Sequence, residues 1–240
     1  MLLTELGHIQ LNLIMPKAKK QHIVKILEAH YITHDVKRFV VERPAGYDFI
    51  PGQATEVSIN LPEWKDKSRP FTFTSIREHG FLEFMIKIYN DHEGVTNMLG
   101  RTHAGAELIL HDVFGAIQYK GPGVFIAGGA GITPFISIFR HLYTHKNLHG
   151  NKLIYSNKTS EDVIMEEELQ TMLNGNFIKI FTRENVVGFR GNRIDRKFLI
   201  ENIADFGQNF YLCGPKKFVS NITDLLLSLG ASAETVIIES

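Results

Sequence analysis

The chain has one cysteine, Cys213, in 240 residues. One thiol cannot close an internal disulfide, hold a four-cysteine iron–sulfur cluster or build a Cys-rich zinc site. A reducing, cytoplasmic setting fits that lack. Net charge is lacking too, since 26 basic residues meet 26 acidic ones. Without a bulk field, the composition favours neither nucleic acid nor an anionic membrane as a partner. No apolar run approaches the roughly 18 residues of a membrane span, so no membrane insertion is expected. The opening stretch MLLTELGHIQLNLIMPKAKKQ lacks the polarity of a secretory signal. Glu5 and His8 interrupt it, and its basic cluster follows the apolar part. Residues 1–20 read as a tail, an added strand or the upstream extension of a chain starting at Met15.

What is present falls into two halves. From residue 21 to 118 the pattern is short runs rich in Val, Ile, Phe and Thr: VKILEAHYI, VKRFVVERP, ATEVSI, RPFTFTSI, LEFMIKIY and AELILHDV. Gly and Pro turns separate them. Six such runs predict a small antiparallel β-barrel, with one short helix at GVTNMLGR. From residue 119 to 240 strand and helix patterns alternate, beginning with GVFIAG and TPFISIFRHLYTH and ending with PKKFVSNITDLLLSLG and ETVIIES. That alternation predicts an α/β domain with a doubly wound parallel sheet. One helix is expected over SEDVIMEEELQTML, with Ser160 as its N-cap and Glu166, Glu167 and Glu168 on a solvated face. In such sheets a ligand sits beyond the carboxyl ends of the strands. The loops after GVFIAG, LIYSN, IFTR and FYLC should therefore share one site.

Two stretches carry chemistry. AGGAGITP joins a strand to a helix. Gly128, Gly129 and Gly131 let backbone N–H groups approach a pyrophosphate at the helix N-terminus. Thr133 is placed to cap that helix, and Pro134 suits its first turn. No Lys-Ser or Lys-Thr follows the glycines, which excludes an ATP or GTP loop. RPFTFTS lies on a barrel strand, where Arg69 and Phe71 share one face and Thr72 takes the other. A cation, a ring and a hydroxyl are thus offered together. GVTNML is a second candidate anion site, with a glycine and a hydroxyl at a helix start.

Together these residues resemble the ferredoxin–NADP reductase family, in particular its compact stand-alone members without an iron–sulfur domain. The resemblance spans everything except the N-terminal tail. The family's Arg-x-Tyr/Phe-Ser/Thr matches Arg69, Phe71 and Thr72, flanking Pro70, and FIPGQ matches its Pro-Gly-Gln turn. Its Gly-x-x-Ser/Thr matches at Thr96, with the glycine displaced to Gly94 beside Val95. Its Gly-x-Gly-x-x-Pro matches Gly129, Gly131 and Pro134, around Ile132 and Thr133. Its Cys-Gly-Pro matches Cys213, Gly214 and Pro215, and its near-terminal glutamate matches Glu239. One departure is the end of the chain. Plant-type members finish on an aromatic residue that stacks on the flavin, whereas this chain finishes Glu239-Ser240.

The resemblance implies that the barrel binds FAD through these residues and through Ile86, Lys87 and Ile88. It implies that the sheet binds NADPH or NADH and that a hydride passes from nicotinamide to flavin. Thr72, Cys213 and Glu239 are the implied catalytic residues. Thr72 would lie near flavin N5 and Cys213 beside the nicotinamide, and Glu239 would orient Cys213 or relay a proton. Asn157 and Lys158, with Thr182 and Arg183 matching the family's Ser-Arg pair, would favour NADPH. The implied acceptor is a separate flavodoxin, ferredoxin or oxygenase component. Lys65, Lys67, Lys216 and Lys217 would flank the flavin edge and dock an acidic carrier. A free-flavin or quinone reductase, or a silent flavin-binding sensor or subunit, is the alternative. His141, His145 and His149 recur at four-residue spacing, but no carboxylate joins them in the sequence. They read as a solvent-facing helix end, and no metal site is assigned.

Overall fold

The computed structural model describes residues 20–115, 117–184 and 193–238. The first half is β1 His22–Tyr31, β2 Val36–Glu42, β3 Gln53–Ile59, β4 Arg69–Thr72, β5 Phe81–Lys87, α1 Val95–Arg101 and β6 Glu107–Gly115. All neighbouring strands pair antiparallel, in the order β4-β3-β6-β1-β2-β5. The two edges approach each other just beyond β4, where the Thr74 amide donates to the Glu83 carbonyl on β5 at 2.9 Å. Alternation along the strands turns Phe39, Val57, Phe73, Leu82, Phe84 and Leu110 into a buried core. Each such side chain contributes about 1.5–3 kcal/mol on leaving water.

The second half is β7 Gly123–Gly128, α2 Thr133–Thr144, β8 Lys152–Asn157, α3 Glu166–Leu173, β9 Phe177–Phe181, α4 Arg196–Asn202, β10 Asn209–Cys213, α5 Lys216–Ser228 and β11 Val236–Ile238. Its sheet is wholly parallel, in the order β11-β10-β7-β8-β9. The chain runs outward from β7 to β9, then returns to place β10 against the other side of β7. The strand order reverses there, which puts the loops after β7 and β10 side by side. The sheet is apolar on both faces. Phe125, Tyr155 and Tyr211 pack with α2 and α3, while Ile126, Ile154 and Leu212 pack with α4 and α5.

Two local expectations need correction. The helix expected over SEDVIMEEELQTML is broken. Met165 adopts a left-handed backbone (φ 55°), so only a short 3-10 turn forms at Ser160–Asp162 before α3 begins at Glu166. The cap is Thr159, whose side chain shares a capping box with Asp162, and not Ser160. Nor are the three glutamates all solvated. Glu167 is exposed, but Glu166 pairs with Lys179 and Glu168 with Arg140.

Arg140, on α2, joins the halves. Its guanidinium donates to Glu83 Oε1 of β5 at 2.5 Å, to the Thr74 carbonyl at 2.8 Å and to both oxygens of Glu168 at 2.6 and 2.8 Å. Arg38 of β2 donates to the other Glu83 oxygen at 2.6 Å, and Thr74 Oγ1 donates to Oε1 at 2.7 Å. Ser137, one turn earlier on α2, donates to the Ser75 carbonyl at 2.8 Å. The linker between the halves is also held. Ile117 donates to the Gly52 carbonyl at 3.2 Å. Gly52 has φ +91°, and a Cβ there would lie 2.0 Å from the Ile117 oxygen, so only glycine fits.

The Glu83 side chain is only 2 % exposed. Burial alone would raise its carboxyl pKa; the Arg140 charge, hydrogen bonds from Thr74 and Arg140, and the Arg38 charge outweigh that and hold it below the ordinary 4.5. A depressed carboxyl stabilises the fold above its unfolded pKa, and that contribution is lost as pH falls through the folded value. Urea unfolding followed between pH 7 and 3 should therefore lose stability below about pH 4.5 more steeply in the parent than in Glu83→Gln. Arg140→Met should cost about 3 kcal/mol at pH 7, at the low end for breaking a buried pair, because Arg38 still faces Glu83.

Candidate functional site

A cleft of about 870 Å³ opens between the barrel and the carboxyl ends of the parallel strands. Pro70, Phe71, Thr72, Ile86, Lys87 and Thr96 line it from the barrel. From the sheet come Gly129, Gly131 and Thr133 after β7, Asn157 and Lys158 after β8, and Thr182 after β9. Cys213, Gly214 and Pro215 follow from β10. The loops after β7 and β10 meet on one surface because strand order reverses between those strands, and the barrel residues join them because the two domains dock.

The two domains touch at the base of this cleft. Thr72 Oγ1 and Thr133 Oγ1 are 2.8 Å apart, and both residues are buried. Thr133 Oγ1 also donates to the Ala130 carbonyl at 3.1 Å. This corrects the expected cap. A 3-10 turn over Gly129–Ile132 precedes α2, whose N-cap is Ile132 with no side-chain cap bond. The Thr133 hydroxyl is thereby turned toward the barrel. Pro134 occupies the first turn of α2, where its missing N–H costs nothing.

The glycines of the loop have separate reasons. Gly131 lies against β10: an added Cβ would sit 2.5 Å from the Cys213 carbonyl carbon and oxygen and 2.6 Å from the Gly214 nitrogen. Gly129 has φ +54°, and a Cβ there would meet nothing within 4 Å, so this glycine faces open cleft. Tyr155 supports the loop from below, donating its hydroxyl to the Gly129 carbonyl at 3.0 Å. Burial pushes the Tyr155 hydroxyl far above its ordinary pKa, so it remains a donor at any physiological pH.

Polar groups along the cleft wall are partly committed. Lys87 Nζ donates to Asp35 Oδ2 at 2.5 Å. Asp162 accepts from the Thr159 amide and hydroxyl at 2.8 and 2.7 Å. Although burial opposes ionisation of Asp162, those bonds hold its carboxyl below the ordinary range. Asn157 is different. It is 4 % exposed, and neither its Oδ1 nor its Nδ2 makes a hydrogen bond of good geometry among the described residues, although the amide lies close enough to the Tyr155 hydroxyl to oppose the rise in that group's pKa. An incompletely paired buried amide on a cleft wall is costly unless a ligand completes it. The open face at Gly129, the incompletely paired Asn157 amide and the apolar wall of Phe71 fit a nucleotide with a flat ring.

Several residues expected at the site lie off this surface. Arg69 is exposed at the start of β4 and donates to the Ser68 carbonyl at 2.8 Å. Ile88, Val95 and Ile132 are core residues, 3 %, 3 % and 0 % exposed. Gly94 precedes α1 as its N-cap without lining the cleft. Arg183 is exposed next to Thr182, and Pro134 is buried in α2. Glu239 lies outside the described residues. Conversely, Asp35, Met85, Tyr89, Phe114, Asp162 and Phe218 line the cleft and were not singled out in the sequence. Tyr89 and Phe114 carried a faint signal as large rings at strand ends. They are 47 % and 39 % exposed at the cleft.

An antiparallel flavin-type barrel, a parallel nucleotide-binding sheet and a shared cleft define a two-domain nucleotide-dependent oxidoreductase. Comparison with known families agrees. Residues 23–119 match the oxidoreductase FAD-binding domain, and residues 125–224 match the oxidoreductase NAD-binding domain. Together the two matches cover most of the chain, which belongs to the oxidoreductases built from these two domains. It is 27 % identical over 216 residues to the reductase component of propane 2-monooxygenase from Rhodococcus jostii, covering 83 % of this chain and 57 % of that protein. It is 28 % identical over 231 residues to the glycine betaine monooxygenase reductase subunit of Pseudomonas aeruginosa, covering 89 % and 62 %. The chain therefore spans less than two thirds of either relative. Among solved structures, a ferredoxin NADP+ reductase from Neisseria gonorrhoeae with bound FAD and NADP superposes with a TM-score of 0.78. Identity to it is 20 %, over 91 % of this chain and 95 % of that one.

Gly131→Ala should force the phosphate loop away from β10. The expected outcome is a loss of about 1–3 kcal/mol in stability, as for other overpacked sites, with weaker nicotinamide nucleotide binding. Thermal unfolding and nucleotide titration would check both.

Proposed function

We propose that this chain is an NAD(P)H-dependent flavoprotein reductase that hands electrons to a separate acceptor. The observation that carries this reading is the Thr72–Thr133 contact of 2.8 Å, which brings the flavin-type strand β4 and the nucleotide loop after β7 to the floor of one cleft. Bound FAD would supply the chemistry of accepting a hydride from the nicotinamide and releasing electrons one at a time. The chain's own residues would do the positioning. Pro70, Phe71, Thr72, Ile86, Lys87 and Thr96 would hold the flavin on the barrel side. Gly129, Gly131, Cys213, Gly214 and Pro215 would hold the nicotinamide nucleotide against it. Thr72 would offer a hydroxyl to the flavin edge, its orientation fixed by Thr133. Cys213, 3 % exposed at the end of β10, would give the nicotinamide a small polarisable neighbour that excludes water.

NADPH is the favoured donor. The Thr182 and Arg183 amides donate to the Asn157 and Lys158 carbonyls at 2.9 and 2.8 Å, so the ends of β8 and β9 lie together. The adjoining strand ends carry two exposed cations, Lys158 and Arg183, and the Thr182 hydroxyl, which donates to the Asn157 carbonyl at 3.2 Å; the two cations would suit a 2′-phosphate. The nearby carboxylate of Glu184 accepts from the Ser160 amide and hydroxyl at 2.6 and 3.2 Å, which draws it away from a ribose 2′-OH.

The proposed acceptor is an oxygenase component or a one-electron carrier such as flavodoxin or ferredoxin. The two similar reductase components of monooxygenases support it. Lys65, Lys67, Lys216 and Lys217 are all exposed and would meet an acidic partner.

The purified protein should be yellow and should drive NADPH-dependent dye reduction. A colourless protein that also fails to turn over with added FAD would sink the reading. Arg183→Ala should lower kcat/KM for NADPH about tenfold, the worth of one charge-assisted contact, and leave NADH little changed. Steady-state kinetics with both donors would decide it.

A further inference from the structure

The structure supplies the carboxylate that the histidine pattern lacks in the sequence. Glu78 sits in the turn between β4 and β5, on the barrel. Its Oε1 lies 3.7 Å from Nδ1 of His141, in the last turn of α2, and 3.5 Å from Nε2 of His145, the C-cap of that helix. The three donor atoms all fall within 4.8 Å of one another. These separations exceed a hydrogen bond. They are close to the edge of a metal tetrahedron: zinc bonds of about 2.0–2.1 Å to nitrogen and oxygen place neighbouring ligand atoms about 3.3–3.4 Å apart.

The ring tautomers suit the same role. His145 Nδ1 is 2.8 Å from the His141 carbonyl, which can only accept, so Nδ1 carries the proton. In the neutral ring that leaves the Nε2 lone pair directed at the cluster. A backbone carbonyl on the far nitrogen is the usual support for a metal-bound histidine. His141 Nδ1 is buried and has no hydrogen-bond partner among the described residues. All three side chains remain partly exposed, at 41 %, 38 % and 49 %, so an ion can enter and a water can fill a fourth position. The second cluster of this kind, His34 with Asp35 and Asp162, is weaker because Lys87 and Thr159 already occupy its carboxylates.

We propose that Glu78, His141 and His145 form a binding site for one zinc-class divalent ion that bridges the barrel and the nucleotide domain. Two imidazoles and one carboxylate select a borderline transition metal over Mg²⁺, which prefers six oxygens. Because Glu78 and α2 belong to different domains, the ion would fasten the same interface that Arg140 and Ser137 hold.

The test uses the flavin-loaded protein stripped with a chelator. Zn²⁺ titrated by calorimetry should bind one ion per chain and raise the melting temperature, Co²⁺ should give the visible bands of a tetrahedral site, and Mg²⁺ should do neither. Glu78→Gln and His145→Ala should each weaken Zn²⁺ binding by at least about tenfold and abolish the zinc-dependent melting shift, whereas His149→Ala should change neither. Both altered side chains are partly exposed, so the zinc-free melting temperature should match the parent and report intact folding. Absence of saturable Zn²⁺ binding, equal binding of Mg²⁺, or zinc binding unchanged in both variants would overturn the site.

Discussion

The buried ion pair between Arg140 and Glu83 is the constraint on which the rest depends. It joins a helix of the sheet domain to a strand of the barrel, with one partner 2 % and the other 13 % exposed. An ion pair at that depth is tolerated only when every remaining donor and acceptor is satisfied. Here Thr74, Arg38, Glu168 and the Thr74 carbonyl complete the set. A network satisfied in one arrangement specifies one docking of the two domains. Each domain carries its own share of the cleft, so fixing their docking fixes the cleft.

The same geometry explains why the phosphate loop has so little freedom. Its N-terminal half is held by Tyr155 through Gly129, its middle by the close approach of Gly131 to Cys213, and its end by the hydroxyl contact with Thr72. The loop after β7 is thus gripped by β8, β10 and β4, from both domains. Preorganised backbone of this kind costs little reorganisation when a ligand arrives.

Much of this was legible in the sequence. The six barrel strands, the strand–helix alternation and the four loops of the cleft follow from short-range periodicity and Gly/Pro punctuation, and those signals are local. Two of the misreadings are cases where a distant partner prevails. Thr133 looks like a helix cap, but its hydroxyl is drawn to Thr72, 61 positions away. Glu168 looks solvated, but Arg140 claims it. The helix expected from Ser160 is interrupted at Met165, whose left-handed backbone no short-range pattern announces. Arg69 stands in the matching motif with its side chain exposed and donating to the adjacent Ser68 carbonyl. Glu78 stands 63 positions before His141, and the barrel's closure alone brings it to α2.

The contact between Gly52 and Ile117 has a consequence for how the halves find each other. It pins the connecting segment to the barrel just before the sheet domain begins, so the second domain emerges from a fixed point with little slack. Docking then becomes an intramolecular event at high effective concentration. Under that condition the polar bonds of Arg140 and Ser137, with Val36 and Met85 packed into the core of the sheet domain, hold the interface without the entropic cost of bringing separate chains together.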